Sequence, residues 1–186
     1  MNTHTAVFLI VITLFIGVAA GLGMFSIVQM RRKSAGRWED IIKRLKPIDR
    51  DSVEEVAFDI ITPSGERRTD DESSTLDAAE IWSLIGEWEG LETLKHNCSV
   101  LIDLAFYVQQ WYPEALAVAE QLRLSAREIE WHISRLQTAQ TTGKLETVIP
   151  MYAQQAVATY YVMTRRVLAL YEQGNITMLA ELQHTL

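Results

Sequence analysis

ALAVAEQLRLSAREIEWHISRL, residues 115–136, is the stretch that decides the fold. Its apolar positions Ala115, Ala119, Leu122, Ala126, Ile129, Ile133 and Leu136 are separated alternately by four and three residues. That alternation puts all of them on one side of an α-helix, an a/d seam sustained over successive heptads. A single amphipathic helix cannot hide such a seam alone, so the pattern predicts partner helices.

Working outward, the partners are visible on both sides. Towards the C-terminus, Thr141-Thr142-Gly143 is a break, and a further helix is predicted over residues 150–173. Its inward face is Tyr152, Ala156, Tyr160, Met163, Val167 and Leu170, and Gly174 stops it. Asn175 or Thr177 then caps a last short helix reaching Gln183. Towards the N-terminus, residues 100–112 are apolar on nearly all sides, as in a helix at the centre of a bundle. Pro113 marks its end or the first turn of its successor. Before it, Asp77 and Glu80 have capping-box spacing, followed by a stripe of Ile81, Leu84, Ile85, Trp88 and Leu91. Asn97 and Ser99 are placed to close this helix and cap the next. The reading is an all-α antiparallel bundle of four to five helices over residues 77–186.

Residues 47–76 are less regular. Val56, Phe58 and Ile60 alternate, and Thr62-Pro63-Ser64-Gly65 is a turn signal, so the segment reads as a linker with a short strand or hairpin.

The first thirty residues contain no Asp, Glu, Lys or Arg. Residues 6–30 are mostly Val, Leu, Ile, Phe, Ala and Gly, long enough for one membrane-spanning helix. Arg31, Arg32 and Lys33 follow at once, which orients the N-terminus outside and the body in the cytoplasm at the inner membrane. A cleaved signal peptide fits less well, because no basic residue precedes the apolar run and that run continues to Val28. Gly17 and Gly21 place small residues on one face of the span, which permits close helix pairing with a second copy or another membrane protein.

Charge is unevenly distributed. The chain carries −7 overall, yet residues 31–46 hold seven basic and two acidic side chains, and residues 47–186 hold ten basic and twenty-two acidic. A net +5 segment suits the anionic face of a bilayer, whereas a −12 body repels phosphate backbones and argues against nucleic acid. Within the basic segment, Trp38, Ile41, Ile42 and Leu45 share one helix face, with Arg37, Lys43 and Arg44 elsewhere on the wheel. Such a helix either lies in the interface with Trp38 at headgroup level or packs on the body.

The one constellation with a chemical flavour is a pair of Glu-x-x-x-His units, Glu92 with His96 and Glu128 with His132. The spacing puts each Glu and His on one helix face. Di-iron bundles instead use Glu-x-x-His with further inward carboxylates, and the helix at residues 150–173 carries no carboxylate before Glu172. Exposed Glu–His pairs are therefore favoured over metal binding. No catalytic residue, cofactor or phosphate loop is indicated. Cys98, the single cysteine, reads as a small buried apolar residue. The five Trp and six Tyr read mainly as core or interface anchors rather than a cofactor pocket.

Residues 85–136 resemble an uncharacterised family of bacterial single-pass, membrane-anchored helical proteins. The likeness rests on Glu89-Gly-Leu-Glu-Thr-Leu-Lys-His96 and on Trp111-Tyr-Pro113 followed by Arg123. It implies the architecture and a bacterial inner-membrane setting, and no activity. The expectation is a membrane-tethered, non-enzymatic interaction or accessory protein, with a metal- or cofactor-binding bundle enzyme as the alternative.

Overall fold

The structure, a computed structural model, describes residues 38–68, 75–174, 176 and 178–186. The apolar run at residues 6–30, Gly17, Gly21, Arg31, Arg32, Lys33 and Arg37 lie outside the described residues, as do Asn175 and Thr177. Among the described residues the fold is all-helical, with α1 Trp38–Ile42, α2 Arg50–Phe58, α3 Ala78–Ile85, α4 Glu87–Val108, α5 Ala115–Thr141, α6 Leu145–Gln173 and α7 Leu179–Thr185. None of these helices is long and apolar enough to cross a membrane.

The seam builds the core. Ala115, Ala119, Leu122, Ile129, Ile133 and Leu136 are all buried, and only Ala126 stays half-exposed. α5 turns back through Gly143, whose φ of 67° suits a residue without Cβ, and packs along α6. α6 is the hub of the bundle, touched by α2, α3, α4, α5 and α7. It begins at Leu145, ahead of the expected Pro150, which lies inside its early turns and costs it one backbone hydrogen bond.

Two expected boundaries are corrected. The first body helix does not close at Asn97 and Ser99; the break falls at Gly86, in the left-handed region at φ 81°. Gly90 then comes so close to the Ile85 carbonyl oxygen that a side chain there has no room. Asn97 leaves its own backbone alone and reaches across the fold. Its Oδ1 accepts from the Lys46 N–H at 3.0 Å, and its Nδ2 donates to the Lys46 carbonyl at 2.9 Å. The capping box at Asp77 forms as expected, with reciprocal bonds of 2.8 and 3.1 Å to Glu80.

The second correction concerns residues 47–76. Val56 and Phe58 are helical in α2, not in a strand, because Asp49 caps the helix start and Val53, Val56 and Ala57 then line up towards the core. The turn at Thr62-Pro63-Ser64-Gly65 does form, closed by a single antiparallel bridge between Ile61 and Arg67. The core crosses the boundary expected at residue 76, since Trp38, Ile41, Val56, Ala57 and Ile61 are buried in it. A buried polar brace holds the same junction. The Asp59 carboxylate accepts from Gln154 Nε2 at 2.6 Å and from the Thr75 N–H and hydroxyl at 2.7 and 2.8 Å.

Candidate functional site

Trp38 is the clearest reassignment among the residues expected at a membrane interface. Its side chain is 2% exposed, and its indole N–H donates to the Tyr171 hydroxyl at 3.2 Å. Tyr171 donates in turn to the Leu104 carbonyl. The indole is thus turned into the body rather than towards headgroups, because the apolar face of α1 finds α4 and α6 close enough to bury it. Lys43 and Arg44 remain exposed, with Arg44 paired to Asp103 at 2.9 Å.

The two Glu–His units meet different fates. His96 donates from Nε2 to the Arg44 carbonyl at 2.9 Å, and Glu92 faces Lys95 at 4.0 Å. In the second unit, Glu128 Oε1 stands 3.8 Å from His132 Nε2, the i, i+4 neighbourhood that the spacing predicts. The expected exposed pair is only half exposed, however: Glu128 faces solvent, while His132 is 7% exposed. Glu92, His96, Glu128 and His132 do not come together as one ligand group, and no group of three or more metal-ligating side chains occurs among the described residues.

His132 sits in an aromatic cluster built by α5 and α6. Its ring lies 5.0 Å from that of Trp131, edge to face, and 5.8 Å from that of Tyr152. Trp131 also meets Tyr152 at 5.6 Å, and the Arg135 guanidinium stacks 5.0 Å from its ring centre. The outer surface of this cluster is open. Trp131 is 48% exposed, and Met151, next to Tyr152 in the chain, is 59% exposed. A half-exposed tryptophan with an arginine stacked on its ring has the composition of an interface anchor.

Beneath that surface, neither ring nitrogen of His132 has a hydrogen-bond partner, and both are shielded from water. At 3.8 Å the Glu128 carboxylate is near enough to act through its charge but too far for a hydrogen bond. Burial lowers the affinity of the ring for a proton, and the Glu128 charge only partly opposes this. The buried imidazole therefore favours its neutral form.

The i, i+4 unit was legible in the chain, whereas the burial of its histidine was not, because it depends on α6 bringing Tyr152 beside the ring. The Asp59–Gln154–Thr75 brace and the Asn97–Lys46 clasp carry no local signal either. Their partners lie far apart in sequence. Comparison of the chain with protein families, with curated proteins and with solved structures returns no match.

Proposed function

We propose that the protein is a membrane-tethered, non-enzymatic interaction module that holds a partner near the bilayer through the surface around Trp131, Tyr152 and Met151. The observation that carries this reading is the exposed Trp131, packed on Tyr152 of α6 and stacked by Arg135, with Met151 exposed on α6 as well. Trp, Tyr and Arg dominate binding energy at interfaces, and Met adapts to partners of different shape. The tether is the charge-free run at residues 6–30 with its basic stop, and the body is read as cytoplasmic. Confinement to the membrane raises the effective concentration of a partner without adding a contact.

The test is complementation of a deletion strain at native expression level by three chains. Removal of residues 1–32 and the double change Trp131→Ser with Met151→Ser are each expected to abolish function, while Trp111→Ser retains it. Full complementation by the freed body overturns the tether. Full complementation by the double variant overturns the docking face.

A further inference from the structure

We propose that His132 is a proton-operated latch on the Trp131 surface: when its imidazole gains a proton, the ring leaves its pocket for the Glu128 carboxylate, and Trp131 and Tyr152 shift with it. This rests on the reading of that surface as the docking face and adds its regulation.

A neutral imidazole offers one donor and one acceptor, and here both are buried without a partner. The closed position is thus held by packing against Trp131 and Tyr152, not by polar bonds. A protonated ring has two donors and a full charge; in the closed pocket Glu128 answers the charge at 3.8 Å, but neither N–H has an acceptor within hydrogen-bond reach. One turn back on the same helix, Glu128 offers a carboxylate that is 55% exposed, so the charged pair can form in water at no desolvation cost. The remaining ionisable groups at the cluster are Arg135, on the same helix and stacked on Trp131, and the Tyr152 phenol on α6. Arg135 carries its positive charge on the Trp131 side of the cluster, so Glu128 is the carboxylate that an imidazolium there finds.

The direction of the pH effect follows. Pairing with Glu128 holds the open ring above the ordinary histidine value of about 6.5, and well above that range both arrangements are neutral and the closed one persists. As the pH falls through that range the open form takes up the proton first, because burial lowers the pKa of the closed form. Opening therefore grows as the pH falls, from the raised pKa of the open ring until the lowered pKa of the closed ring is passed.

The experiment uses the full chain in neutral-lipid nanodiscs, labelled with 5-fluorotryptophan. The five tryptophans supply five 19F signals, and Trp131→Phe assigns the one in question. On titration from pH 7.5 to 5, the Trp131 signal is expected to move with a single midpoint while those of Trp38, Trp82, Trp88 and Trp111 stay in place. His132→Phe and His132→Gln should each remove the movement, the glutamine variant deciding if the phenylalanine variant misfolds. Glu128→Gln should push the midpoint lower, because the charged ring loses its carboxylate. A Trp131 signal that moves unchanged in both His132 variants, that stays fixed as His132 titrates, or that moves only with all five together overturns the latch. If the latch behaves as stated but the Trp131 and Met151 double variant still complements, the docking reading fails and the latch stands.

Discussion

Cys98 and Asn97 are neighbours on α4 that turn opposite chemistry to the same end, holding the interior. Cys98 is buried, and burial, aided by the charge of Glu130, pushes its thiol up to about 12. Reaction needs the thiolate, so alkylation of the native protein at pH 8 is expected to run at least ~100-fold slower than that of a free thiol. It should become fast on addition of denaturant. Labelling of the native protein at the free-thiol rate would place Cys98 outside the core. Asn97 instead serves as a backbone surrogate, giving Lys46 one donor and one acceptor. Asn97→Ala leaves two part-buried main-chain groups without partners and is expected to cost about 2 kcal/mol in denaturant unfolding. A cost under about 0.5 kcal/mol would mean that water replaces the amide freely.

At the scale of elements, the elbow between α3 and α4 concentrates the backbone constraints. Gly86 is left-handed, Glu87 is the one described non-glycine residue with positive φ, at 57°, and Gly90 meets the Ile85 carbonyl. Three substitutions rank these effects. Gly86→Ala should cost about 1 kcal/mol, the ordinary penalty for a side chain in that region. Gly90→Ala should cost about 3 kcal/mol or more, since its methyl collides with backbone rather than with a yielding side chain. Glu87→Gly should be close to neutral, because relief of strain offsets the added freedom of glycine in the unfolded chain. Melting of the Gly90→Ala variant at the parent temperature would show that the two helices do not approach as described. On α5, Ile129→Asp places an unpaired charge in the seam and is expected to abolish cooperative melting.

For the whole molecule, the question is where the folded unit begins. The expected bundle at residues 77–186 lacks Trp38, Ile41, Val56, Ala57 and Ile61, all of them buried in the common core. Each large apolar side chain contributes roughly 1.5–3 kcal/mol on burial, against a net stability of about 5–15 kcal/mol for a domain. A fragment of residues 38–186 is therefore expected to be helical and to melt in one sharp transition by circular dichroism. The fragment of residues 77–186 is expected to keep helix content yet lose that sharp transition. Equal melting of the two would show that α1 and α2 are accessories rather than core.

Local pattern was enough for the helical class, the seam of α5, the capping box at Asp77, the break at Gly143 and the i, i+4 neighbourhood of Glu128 and His132. In each case the deciding contacts lie within one or two helical turns, so the order of residues alone sets which side chains meet. Packing decided the rest. It turned Trp38 inward to Tyr171 and set the Asn97 amide against the Lys46 backbone instead of at a helix end. Tertiary packing also put His132 under Tyr152 with no hydrogen-bond partner. These outcomes depend on groups between 51 and 133 residues apart in the longest-range cases, Lys46 with Asn97 and Trp38 with Tyr171. Burial is a property of the surface that covers a residue, and for these positions that surface is assembled only when the helices dock.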